Sequence, residues 1–141
     1  MRIKRTVMAG AALAALTLTT APVAQAAEPS PEGGIGAQGP DGKLYAWGET
    51  HRGGGEPCSW SSNSADWGGT WWGCSDWASS LHNNGYPGAM DDVWVYEHTG
   101  YEGGRRGVHN GVYLTDLHPY KYDGSNVRLN NTISSHQWTN L

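Results

Sequence analysis

The stretch DVWVYEH, residues 92 to 98, is built mostly from β-branched and aromatic residues and is followed directly by Thr99-Gly100. A short run of that make-up bounded by a turn signal is a strand, not a helix. KLYAWG, residues 43 to 48, repeats the pattern. VHNGVYL, residues 108 to 114, sets Asn110-Gly111 between apolar flanks, which is a hairpin signal. Only DWASSLHNN, residues 76 to 84, has the make-up of a helical turn. Parallel strands need a crossover helix, and no segment is long enough to supply one. The chain is therefore expected to be all-β, an antiparallel sandwich.

The N-terminus says where such a domain works. MRIKR is basic, TVMAGAALAALTLTTAPVA is apolar but broken by threonines, and Ala24-Gln25-Ala26 is a small-x-small cleavage site. Residues 1–26 read as a secretory signal peptide, so the protein is expected to be secreted and extracellular, with no membrane-spanning segment. Residues 27–40, AEPSPEGGIGAQGP, carry no hydrophobic pattern and read as a flexible leader. The domain then covers residues 41–141. Removing Arg2, Lys4 and Arg5 takes the nine basic residues to six, against thirteen acidic ones. Phosphate backbones need a basic patch, and only Arg105-Arg106 is clustered, so nucleic acid is excluded as a partner.

Two cysteines, Cys58 and Cys74, are the whole complement. In a secreted chain a disulfide is the favoured reading, and closing that loop contributes about 3 kcal/mol in the chain-entropy model. Zinc is the alternative, but the six histidines are scattered and make no ligand spacing with the cysteines.

The chain also repeats itself. NNTISS at 130 to 135 aligns with SDWASS at 75 to 80: a polar pair, two spacers, then two serines. Upstream, Tyr96, Tyr101 and Gly103 have a counterpart in Tyr45, His51 and Gly53, with one inserted residue. Two copies of one unit fit this spacing. On these residues, over about 42 to 141, the chain resembles the βγ-crystallin superfamily. Its Greek-key unit opens on aromatic, four spacers, aromatic, x, Gly, and carries an acid-or-amide pair two residues before Ser/Thr-Ser. The resemblance implies two Greek-key units, about 42–85 and 92–141, forming one βγ-crystallin-like antiparallel β-sandwich. The first unit departs from the pattern at His51 and Ser75.

Calcium takes six to eight hard oxygens at flexible geometry, and an Asn-Asn-x-x-Ser arch offers amide, carbonyl and hydroxyl oxygens together. In the crystallin pattern two arches lie side by side and share ligands. The resemblance therefore implies a calcium site drawing on Asp76, Ser79, Asn130, Asn131 and Ser134, with the backbone carbonyl of Glu97 as a further ligand. Of the two possible sites, the one using Asn131 with Ser79 or Ser134 is expected to be retained over its twin. The other reading is that the arch only turns the chain while its serines cap backbone amides. Asn130-Asn131-Thr132 is also an N-glycosylation sequon, but a glycan there would block the arch.

CSWSSNSADWGGTWWGC, the segment between the cysteines, holds Trp60, Trp67, Trp71 and Trp72. Adjacent Trp71 and Trp72 would point to opposite faces of a strand, so at least one is expected to face outward. Small secreted chains with a glycine-rich leader and the run VWVYEHTGYEGG look like the crystallin-fold peptidase inhibitor family typified by Streptomyces metalloproteinase inhibitor. That resemblance implies a monomer whose braced loop blocks an extracellular peptidase. Typical members carry two disulfides, and this chain can make one. Two alternatives are a glycan- or cell-wall-binding module stacking sugars on Trp60, Trp67, Trp71 or Trp72, and a crystallin-type secreted toxin. The sequence contains no nucleophile elbow, HExxH or close Ser/His/Asp constellation, so an enzyme is not expected.

Overall fold

The computed structural model describes residues 39–69 and 73–141. The expected signal peptide, residues 27–38 of the expected leader, and Trp71 and Trp72 lie outside the described residues.

Among the described residues seven strands form: β1 (Lys43–Trp47), β2 (Cys58–Trp60), β3 (Ser80–Asn84), β4 (Asp92–His98), β5 (Glu102–Val108), β6 (Tyr113–Leu114) and β7 (Ser135–Thr139). The helical elements among the described residues are two 3-10 turns, Thr50–Arg52 and Thr99–Tyr101. The strands make two antiparallel sheets, in the orders β2-β1-β3-β6 and β5-β4-β7. Alternation along each strand sends Leu44, Ala46 and Leu81 from one sheet against Val93, Val95 and Val108 from the other. Leu117, Tyr122, Leu129 and Ile133 close the ends of that core. Each fully buried Leu, Ile or Val contributes on the order of 1.5–3 kcal/mol.

The sheets exchange chain. β6 belongs to the second half of the sequence yet pairs with β3 of the first. In return, Ser64 of the first half makes a single bridge to His136 of β7. This swap overturns the hairpin expected at Asn110-Gly111. Val112 N–H does close a turn on His109 O at 3.1 Å, but β5 and β6 lie in different sheets. Gly111 N–H donates to Asn83 O and Asn83 N–H to Val112 O, which draws the segment onto β3. DWASSLHNN does not form a helix either. Its first half is an arch and its second half is β3, because Leu81 and Asn83 face the core at strand period.

Asn83 is a fully buried polar residue at the junction of the halves. Its Nδ2 donates to Asp91 O at 2.9 Å and Val108 O at 3.1 Å, and its Oδ1 accepts from Gly85 N–H at 3.0 Å. Asn83→Leu would strip partners from buried backbone groups, so a loss of about 2 kcal/mol in urea unfolding is expected.

Candidate metal centre at the paired arches

Each arch turns on one residue in the left-handed region, Asp76 (φ 55°) in the first and Asn131 (φ 57°) in the second. Asp and Asn are the side-chain-bearing residues that tolerate this conformation best. The arches then lock to each other reciprocally. Asn131 N–H donates to Ala78 O at 2.9 Å, and Asp76 N–H donates to Ile133 O at 3.0 Å.

The paired serines divide the work. The second serine of each pair ties down a 3-10 corner: Ser80 Oγ donates to Glu49 O at 2.7 Å and accepts from Arg52 N–H at 3.2 Å. Ser135 Oγ likewise donates to His98 O at 2.5 Å and accepts from Tyr101 N–H at 3.1 Å. The first serine crosses to the opposite arch. Ser134 Oγ donates to Asp76 Oδ1 at 3.0 Å, and Ser79 Oγ donates to Asn131 Oδ1 at 3.2 Å. The serines thus cap backbone groups and also project oxygen toward the neighbouring arch.

These bonds correct the register of the first unit. Ser79 N–H donates to Trp47 O as Ser134 N–H donates to Tyr96 O. Trp47 therefore matches Tyr96, and Arg52 matches Tyr101, with no inserted residue. Tyr45 and His51 do not hold those positions. Tyr96 and Tyr101 have their rings 5.8 Å apart, whereas the Arg52 guanidinium sits 5.6 Å over the Trp47 ring and 4.3 Å over that of Tyr113. A cation over an aromatic face replaces the contact between rings.

Between the arches and the second corner lies an open cleft of about 650 Å³, lined by Asp76, Glu97, Asn131, Ser134 and Thr132, with His98 and Thr99 at its edge. The structure thus brings together four of the six residues expected to bind metal. The Glu97 side chain joins its carbonyl as a candidate donor, and Thr132 is an oxygen the sequence reading missed. Ser79 does not line the cleft. Asn130 does not line the cleft, and its Oδ1 is buried without a hydrogen-bond partner among the described residues. Among the described residues no three His, Cys, Asp or Glu side chains converge. The cleft's donors are two carboxylates plus neutral oxygens, a set that fits a hard cation of calcium type.

Solved structures share this overall fold. One, solved in connection with the evolution of the eye-lens βγ-crystallin domain fold, is 18% identical with a TM-score of 0.58, covering 77% of this chain and 95% of that one. A βγ-crystallin from Ciona intestinalis is 15% identical with a TM-score of 0.52, covering 70% of this chain and all of the other. Spherulin 3a from Physarum polycephalum is 18% identical with a TM-score of 0.52, covering 77% and 92%. This chain has the βγ-crystallin fold. No family model matches its sequence, and no curated protein is significantly similar to it.

In this fold the disulfide loop leaves from the edge strand β2. Cys58 and Cys74 are bonded, with Cα atoms 6.5 Å apart. The loop is then stitched to β7 and its approach: Ser64 pairs with His136, Trp67 N–H donates to Ser134 O at 2.9 Å, and Cys74 N–H donates to Trp67 O at 2.9 Å. Trp67 is fully buried, and its Nε1–H donates to His136 Nδ1 at 2.8 Å. His136 Nε2 in turn donates to Ser62 O at 2.9 Å. That fixes the neutral tautomer, and burial pushes the histidine pKa down to about 4. Trp60 stacks on Trp67 at 4.3 Å, partly buried against the core. Trp67 is therefore an anchor and not a contact surface, and Trp60 lends it its face. Full burial removes Trp67 as a sugar platform, whereas Trp60 is only partly buried.

Proposed function

We propose that this chain is a secreted, non-enzymatic binding protein that inhibits an extracellular peptidase through the loop between Cys58 and Cys74, on a crystallin-type domain stabilised by calcium. The observation that carries the reading is the way the loop is held. A disulfide closes it, and hydrogen bonds at Ser64, Trp67 and Cys74 fix its ends to β7, the arch and itself. Residues 59 and 61–63 are exposed on that fixed base. A loop already ordered loses little entropy on docking and resists cleavage once bound, which is what a peptidase inhibitor requires. The purified protein, incubated with a panel of metallo- and serine peptidases, is expected to inhibit at least one. Reducing the disulfide should convert the loop into a substrate. A panel left fully active at micromolar inhibitor would end this reading.

The calcium part rests on the oxygen-lined cleft. The folded cleft gathers Asp76, Glu97, Asn131, Thr132 and Ser134, which an unfolded chain does not. Stability should therefore rise with RT ln(1 + [Ca²⁺]/Kd). For an extracellular-type Kd of roughly 0.1–1 mM, 10 mM calcium adds about 1.4–2.7 kcal/mol, several degrees in Tm. Magnesium, which demands stricter geometry and holds its water, should add much less. A thermal melt unmoved by 10 mM calcium would overturn this part.

A further inference from the structure

The two arches match bond for bond, yet the surfaces beside them do not. The residue matching Glu97 in the first unit is Gly48, and the residue matching Thr132 is Trp77. A Cβ placed on Gly48 would fall 2.3 Å from Cε2 and Cζ2 of Trp77 and 2.6 Å from its Nε1. The indole therefore lies directly on the Gly48 backbone, in the space where a side chain at that position would project. On its other side Trp77 forms a wall of the groove beside the disulfide, with Pro57, Cys58 and Cys74.

We infer that Trp77 and Gly48 close the twin cleft, so that the domain takes one divalent cation, held on the Asp76–Glu97–Ser134 side. The inference rests on the calcium reading above. It narrows the sequence-based expectation, which left Asn131 with either Ser79 or Ser134, to the Ser134 side, because the decisive difference lies outside the hexapeptides. The open cleft offers two carboxylates, Asp76 and Glu97. At the matching positions the twin has an amide, Asn131, and no side chain at all. The serines do not distinguish the two sides, since Ser79 Oγ donates to Asn131 Oδ1 at 3.2 Å as Ser134 Oγ donates to Asp76 Oδ1 at 3.0 Å. A hard cation gains affinity with ligand charge, and the twin has no carboxylate at either matching position. The aromatic plug also explains why Gly48 carries no side chain: any Cβ would collide with the ring.

Isothermal titration of the intact domain with calcium chloride tests this, with a stoichiometry of one expected. Asp76→Ala should weaken that binding by at least about tenfold, whereas Ser79→Ala should move Kd by no more than about twofold. Trp77→Thr combined with Gly48→Glu, which installs the second unit's residues, should raise the stoichiometry toward two. A stoichiometry of two in the unaltered protein, or Ser79→Ala weakening binding as much as Asp76→Ala, would overturn the inference while leaving calcium binding intact. A titration with no binding at all, checked by equilibrium dialysis, would overturn both together. Should the double variant not fold, the two single alanine variants and the native stoichiometry still decide the matter.

Discussion

Trp67→Ala is expected to destabilise the domain by about 3–5 kcal/mol, the largest effect of any single substitution in the loop. The ring is fully buried, stacks on Trp60 at 4.3 Å, and donates to His136 Nδ1. Removing it opens a cavity at the sheet edge, leaves a buried imidazole nitrogen unpaired, and frees the loop at the point where Cys74 N–H meets Trp67 O. Against a total of about 5–15 kcal/mol for a domain, such a loss leaves little margin. Trp67→Phe keeps much of the volume but not the N–H, so it should cost less, about 1–3 kcal/mol. Urea unfolding of both variants is the measurement. If Trp67→Ala unfolds at nearly the native midpoint while binding of a partner is lost, the residue is a contact group and not an anchor.

That anchor was hidden in the sequence for a physical reason. Trp60 and Trp67 lie among glycines and serines with no strand period around them, so nothing local marks them as core. The partner that buries them is His136, in the last strand, and its role follows from a swap between sheets. The arches were legible because their chemistry is local: a left-handed Asn or Asp, two spacers, and serines that bond within the motif. Asp76, Asn131 and Ser134 could be placed together because the repeat resembles the crystallin unit, whose arches lie side by side. The opening of the first unit was misread because Arg52 over Trp47 does by cation–π contact what Tyr101 does beside Tyr96. A search for a second aromatic finds no candidate at Arg52 and slides to His51. The Asn110-Gly111 turn failed for the complementary reason. Turn chemistry fixes a change of direction but not which sheet receives the next strand, and here Asn83 of β3 takes that strand.

His136 should make the domain lose about 3 kcal/mol of stability between pH 7 and pH 4. Folded, its pKa is lowered to about 4 by burial; in an unfolded chain it is about 6.5. The unfolded state then binds more protons throughout that window, so stability is complete above about pH 6.5 and drains as the pH falls toward 4. Each fully linked proton gives a slope of about 1.4 kcal/mol per pH unit. The geometry supplies the cause: both ring nitrogens are engaged, Nδ1 accepting from Trp67 and Nε2 donating to Ser62 O, so a proton on Nδ1 must break the Trp67 bond. His82 adds a contribution of the same sign, its pKa lowered by burial and then by Arg52. Asp41 and Asp92 lose their stabilising hydrogen bonds only below their ordinary range near 3.8, outside this window. His136→Gln should be weaker at neutral pH yet much flatter between pH 6 and 4.5, whereas His82→Gln should keep most of the native slope. Urea midpoints collected across that range compare the three proteins directly. If His136→Gln shows the same fall as the native chain, the acid sensitivity arises elsewhere, and the Trp67–His136 pair does not govern how the loop is held.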